Sequence, residues 1–151
     1  MIRRFLHLYW RLVRGMTLGV RAVVLREGAG GRELLLVRHG YVAGWHLPGG
    51  GVEPGETFTQ ALDKELREEG NVTLTAPARL FAIYQNLQAS NRDHVALYVV
   101  RAFDFGGALP PTFEIKESKF FALEALPEDT TPATRRRLAE VLEGTPAAEQ
   151  W

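Results

Sequence analysis

The stretch that decides the fold reads Gly49-Gly50-Gly51-Val52-Glu53-Pro54-Gly55-Glu56-Thr57-Phe58-Thr59-Gln60-Ala61-Leu62-Asp63-Lys64-Glu65-Leu66-Arg67-Glu68-Glu69-Gly70-Asn71-Val72. Its second part, from Thr57 to Glu69, holds neither glycine nor proline and predicts a helix. With Glu65 at zero and a turn of about 100° per residue, Glu69 falls near 40° and Glu68 near 300°. Phe58, Ala61, Leu62 and Leu66 fall on that same side, whereas Gln60, Asp63, Lys64 and Arg67 lie opposite. A run of charge on a helix is ordinarily a solvated face, but here the solvated face is elsewhere. Three carboxylates on a packed side repel one another and lose hydration. Acids toward the C-terminal end also oppose the helix dipole, so helix stability does not explain them. A hard divalent cation does, because it takes carboxylate oxygens and keeps waters and substrate phosphates as its other ligands. The glycines ahead of the helix let backbone groups approach an ion or a phosphate closely. That loop lacks the Gly-Lys-Ser/Thr ending of a Walker loop, which argues against a P-loop NTPase.

Working outward, residues 3 to 14 are apolar with scattered arginines and predict a short amphipathic helix, docked on the domain or on a second subunit. A membrane-surface helix is the sharper alternative. Gly19 to Leu25 and Glu33 to Arg38 read as two strands joined by a turn at Gly28-Ala29-Gly30-Gly31. Gly40 to Gly55 reads as a loop. A short strand is expected at Val72 to Thr75, an antiparallel pair at Leu80 to Leu87 and His94 to Phe103, a loop at 106–111, and a last strand at Lys119 to Leu123. Thr131 to Leu142 has a helix N-cap in Thr131, Pro132 at the first helical position and Gly144 past its end. Mixed strands with few helices predict an α+β fold, a helix–sheet–helix sandwich.

The 151 residues suit a single domain spanning 1–151, and 46% hydrophobic content supplies a core. Eighteen basic and eighteen acidic residues cancel, so no general field draws the chain to nucleic acid or a membrane. There is no cysteine, which excludes disulfides and thiolate metal ligands. His7 and Arg11 interrupt the apolar stretch behind Met1-Ile2-Arg3-Arg4, so it does not read as a signal peptide, and a cytoplasmic protein is expected.

The 49–72 segment resembles the signature of the Nudix hydrolases, Gly-x5-Glu-x7-Arg-Glu-U-x-Glu-Glu-x-Gly-U, with U a bulky aliphatic residue. Gly50, Glu56, Glu65, Leu66, Glu68, Glu69 and Val72 take its positions, and Trp45-His46-Leu47-Pro48-Gly49-Gly50 resembles the family's approach to them. The strand order and the closing helix, residues 131–143, also suit the Nudix α/β/α sandwich with a central mixed sheet. Two positions depart. Lys64 stands where the family has arginine, keeping the charge but not the planar fork. Asn71 stands where the family has glycine, and asparagine tolerates the left-handed conformation after a helix.

The resemblance implies a pyrophosphohydrolase using Mg2+, or Mn2+ in its place, on a nucleotide-type diphosphate. It implies that Glu65, Glu68 and Glu69 bind metal with the Gly50 carbonyl. Glu114 would serve as a further ligand or as general base, with Glu117 the alternative for that place. Glu65, Glu69 and Glu114 are thus the candidate catalytic residues, and Lys64 and Glu56 supporting ones. Trp45, His46, Arg92 and Tyr84 are candidate substrate contacts, with Tyr41, Gln85 and His94 beside them; a core aromatic is an equal reading of Trp45, and an ordinary turn arginine and strand histidine are the alternatives for Arg92 and His94. Arg135-Arg136-Arg137 reads as a solvated face. The apolar N-terminal segment makes a homodimer reasonable. The competing class is a non-catalytic nucleotide-binding module of the same fold, for which only Lys64 speaks.

Overall fold

The computed structural model describes residues 2–151, with side-chain surroundings from Leu6 onward. Its elements in chain order are α1 (Ile2–Val13), β1 (Thr17–Gly28), β2 (Gly31–His39), β3 (Trp45–His46), α2 (Phe58–Gly70), β4 (Val72–Leu74), β5 (Arg79–Gln85), β6 (Asp93–Val100), β7 (Phe103–Phe105), β8 (Ile115–Ala122) and α3 (Pro132–Glu143). A short 3-10 turn, Leu123–Ala125, joins the last two.

One mixed sheet runs in the order β3-β2-β1-β6-β5, with β8 paired to β2, and a small second sheet pairs β4 with β7. β1 and β6 are parallel from Thr17↔Asp93 to Val24↔Val100. The remaining pairs are antiparallel. Alternation along the strands divides the core in two. Val20, Ala22 and Val24 of β1, with Ala96, Tyr98 and Val100 of β6, pack against Ala61, Leu62 and Leu66 of α2. Val23 and Leu25, with Leu97 and Val99, face the other way and pack with Leu138 of α3. The result is the helix–sheet–helix sandwich expected from the sequence.

The sheet is split where the site forms. β1 and β2 pair only between Leu25↔Leu34 and Gly28↔Gly31. Beyond that, the strands part and the glycine loop takes the vacated edge of β1. The Val20 N–H donates to the Gly50 carbonyl (2.9 Å), the Ala22 N–H to Pro48 (3.0 Å) and the Val52 N–H to Leu18 (2.8 Å). Gly49 has φ of 144°, and a Cβ there would strike the Val20 carbonyl and lie 2.9 Å from the Arg21 Cα. Only glycine permits so close an approach.

α2 is capped at both ends. Thr57 and Gln60 form a capping box, each side chain accepting the other's backbone N–H. Asn71 closes the helix at φ 51°, ψ 38° and donates from its side chain to the Gly107 carbonyl (3.1 Å). The turn expected of a glycine at this position therefore survives with asparagine. Asn71→Gly should leave thermal stability nearly unchanged. Asn71→Ala should cost about 1–2 kcal/mol, since alanine resists the left-handed conformation. Thermal unfolding of both variants checks this, and an alanine variant no less stable than the glycine one contradicts it.

Several boundaries differ from expectation. The strand expected at 94–103 ends at Val100; Arg101 and Ala102 are exposed, and Phe103–Phe105 forms β7 on a different sheet. The last strand begins at Ile115 rather than Lys119, its polar run Lys116-Glu117-Ser118-Lys119 carrying little apolar signal. A two-residue strand, β3, lies inside the expected loop. α1 forms where expected, and its apolar side chains from Leu6 to Val13 are exposed. No helix among the described residues is long and apolar enough to cross a membrane.

Candidate active site

The acidic face of α2 meets the glycine loop at the split in the sheet. The three glutamates of α2 differ sharply in burial. Glu69 is only 8% exposed, and one carboxyl oxygen accepts the Gly49 N–H (2.8 Å). Glu65 is half-buried beside Gly50; a Cβ at Gly50 would run into its carboxyl group. Glu68 is exposed. The helical angles explain this: Glu68, near 300°, lies at the rim of the apolar face, while Glu69 lies within it.

A cleft with two lobes surrounds these acids. One lobe, of about 450 Å3, is lined by Gly49, Gly50, Arg21, His39, Asn86 and Asp93. The other, of about 480 Å3, is lined by Glu68 and by Thr112 to Ile115. Glu65, Glu69 and Glu114 line both. Glu114 is exposed on the segment leading into β8. Glu117 lines a small neighbouring hollow together with Glu68 and Glu69.

Burial raises the proton affinity of the Glu69 carboxyl to a pKa of about 7, against the Gly49 hydrogen bond and Arg21, which lower it. Burial also raises Glu65, with Glu68 and Glu114 adding to the effect while Lys64 and Arg21 oppose it. A buried carboxylate with raised proton affinity needs a positive group to stay ionised.

An all-oxygen donor set of this kind suits a hard divalent cation. Among the described residues, no three acidic or histidine side chains are close enough to enclose an ion by themselves. The Gly50 carbonyl accepts one hydrogen bond, from Val20, and retains a second lone pair.

The supporting residues act on the loop. Lys64 Nζ donates to Glu56 (2.8 Å), and the other Glu56 oxygen accepts the Glu53 N–H (2.9 Å). Lys64 thus ties the loop to the helix through Glu56 and is hydrogen-bonded there rather than to Glu65.

The substrate candidates divide. Trp45 is 4% exposed and packs edge-on to Phe121 (4.8 Å); Tyr84 is fully buried and donates to Glu140 (2.6 Å). Both belong to the core beneath α3, so the reading of either as a ligand contact is corrected by burial. His46 accepts from or donates to nothing in the cleft; its Nε2 lies 2.9 Å from the Ala43 carbonyl, and its ring stands 5.3 Å from His39. Arg92 is exposed, with a long contact to the Gly15 carbonyl (3.5 Å). Arg137 corrects the reading of 135–137 as one solvated face. It is 0% exposed and pairs with Glu140 (2.7 Å), while Arg135 and Arg136 are exposed.

Arg21 and His39 line the cleft and were not anticipated. Arg21 leaves a signal, as the one charge inside the valine-rich strand 19–25.

A family model described as the NUDIX domain matches residues 16–142. A protein from Bacillus subtilis named "Putative 8-oxo-dGTP diphosphatase" is 27% identical over 128 residues, covering 85% of this chain and 81% of that protein. An "ADP-ribose pyrophosphatase" from Methanocaldococcus jannaschii is 35% identical over 82 residues, covering 54% of this chain and 48% of the relative. The crystal structure of a MutT NUDIX hydrolase from Burkholderia pseudomallei superposes with a TM-score of 0.70 at 28% identity, covering 83% of this chain and 97% of that one. The split-sheet sandwich with its acidic helix is thus a Nudix fold. The chain belongs to the NUDIX-domain family, as a pyrophosphohydrolase of that family.

Proposed function

We propose that this protein hydrolyses the diphosphate bond of a nucleoside diphosphate derivative with the help of Mg2+, or of Mn2+ in its place. The observation that carries this reading is the meeting of Glu65, Glu69 and Glu114 in one cleft with the glycine loop. Glu65, Glu68 and Glu69 would hold the ion, together with the Gly50 carbonyl and Glu114. Bound there, the ion would supply positive charge to the phosphate oxygens and lower the pKa of an attacking water. Glu65 or Glu114 takes the proton from that water; loss of such a base ordinarily costs about 10²–10⁴ in rate. Gly49 keeps Glu69 in place through its N–H, and Glu56 with Lys64 keeps the loop against α2.

The substrate class follows from the lobes. The diphosphate lies against the acids, and the lobe bearing His39, Tyr41, Asn86 and Asp93 offers ring faces and hydrogen-bonding groups for a nucleoside. The two named relatives point the same way, one to 8-oxo-dGTP and the other to ADP-ribose, each a nucleoside joined through linked phosphates. Such a substrate suits the cytoplasmic location expected from the sequence.

A substrate panel in Mg2+ tests the class. Nucleoside diphosphate derivatives such as ADP-ribose, and nucleoside triphosphates such as 8-oxo-dGTP, should be cleaved to a nucleoside monophosphate. Phosphomonoesters and phosphodiesters without an anhydride should be untouched. Cleavage of the monoesters in preference to the anhydrides contradicts the reading.

A further inference from the structure

Arg21 lines the cleft and, among the described residues, closes on no acid. It sits on β1 with the parity of Val23 and Leu25, so it leaves the sheet on the face opposite α2. The acids reach the split from the α2 side. The two charges therefore meet at the gap from opposite faces, with the Gly49–Gly51 backbone between them. Arg21 is near enough to lower the proton affinity of both Glu65 and Glu69. Yet among the described residues it makes no ion pair, while Arg26, Arg38, Arg67 and Arg137 each close on an acid at 2.6–2.8 Å. Its one hydrogen bond runs to the carbonyl of its neighbour Val20, at 3.2 Å. Most of its five donors remain free.

An arginine placed only to neutralise Glu65 or Glu69 would close on one of them, since the forked pair is the stronger arrangement. A guanidinium held close but apart leaves room for a group that carries negative charge and accepts two parallel hydrogen bonds. It is also the one permanently charged cation lining either lobe among the described residues.

We propose that Arg21 binds a phosphate of the substrate, gripping it from the sheet side while the acids of α2 and their cation face it from the other. This rests on the proposed diphosphate reaction and adds a substrate-binding residue to it. The same placement has an electrostatic consequence. Arg21 opposes a cation among the acids, so its loss should help metal binding and harm phosphate binding, two effects of opposite sign.

Calorimetry on wild type and Arg21→Gln separates these effects without relying on turnover. The probes are Mn2+ alone, α,β-methylene-ADP in saturating Mn2+, and adenosine. Arg21→Gln should bind Mn2+ at least as tightly as wild type, bind α,β-methylene-ADP about 10–100-fold more weakly, and bind adenosine unchanged. Arg21→Lys should recover part of the loss by charge without the fork. A parallel fall in Mn2+ affinity would mean that Arg21 merely holds the acids in place, and would overturn the proposal. So would unchanged binding of the analogue, or a wild type that takes Mn2+ but not the analogue. A wild type that binds no Mn2+ would instead overturn the metal-dependent reading on which it rests.

Discussion

Glu69→Gln is expected to abolish metal-dependent turnover and at the same time to make the metal-free protein more stable. Glu69 is buried, and its carboxyl has a pKa of about 7 instead of the ordinary 4.5. For an acid raised in this way, the folded state holds the proton more tightly than the unfolded state. The favourable contribution is complete below pH 4.5 and is lost as pH rises through the window up to about 7. Above that window, the ionised carboxylate is a burden that only a cation relieves. Glutamine removes the burden and keeps an oxygen for the Gly49 N–H. The expected gain is about 1–3 kcal/mol at pH 8, falling toward zero near pH 4.5. Thermal unfolding in chelator across pH 4.5–8 measures it. Added Mg2+ should raise the melting temperature of wild type but not of the variant. A variant that is less stable than wild type at pH 8, or that still turns over with Mg2+, would refute the role given to Glu69.

The second large effect lies far from the cleft. Glu140 is 5% exposed and accepts three hydrogen bonds: from Tyr84 Oη (2.6 Å), Arg137 (2.7 Å) and the Ala148 N–H (3.0 Å). Burial and the bond to Glu140 keep the Tyr84 hydroxyl protonated far above the ordinary phenol range. Glu140→Ala would strip a fully buried guanidinium of its carboxylate, leaving it the Gln150 carbonyl, and a buried hydroxyl of its acceptor. Breaking a buried pair in this way costs about 3–5 kcal/mol. For a domain of this size that is a fall of roughly 10 °C in melting temperature. The double variant Arg137→Met, Glu140→Leu should recover much of the loss, because no charge is then stranded. Circular dichroism melts of the three proteins decide it. A single variant within about 1 °C of wild type would mean that the network contributes little.

The contrast between the two networks shows what the sequence can convey. The 49–72 segment was legible because its constraints are local. Helical spacing puts Glu65 and Glu69 on the apolar side, glycines mark the close approach of the loop to β1, and Asn71 marks the left-handed end of the helix. Arg137 was illegible for the opposite reason. Three consecutive arginines look solvated, and only the tertiary placement of Glu140, Tyr84 and the Gln150 carbonyl buries the third. Trp45 and Tyr84 were misplaced because alternation fixes that a residue alternates, but not which helix covers its face. Arg21 went unnoticed although a lone charge in a buried strand is visible. Its meaning depends on the split between β1 and β2, a long-range feature that no local pattern encodes.

The cleft at this split is proposed to hydrolyse a diphosphate bond through a divalent cation held by Glu65, Glu68 and Glu69. Phosphorus NMR of ADP-ribose incubated with wild-type protein in 18O-enriched water tests it most directly, with Mg2+ in one sample and chelator in the other. Cleavage only in the Mg2+ sample is predicted, with 18O in one of the two phosphate-bearing products. Equal cleavage in chelator, or an intact diphosphate when the protein has bound both Mg2+ and ADP-ribose, would contradict it.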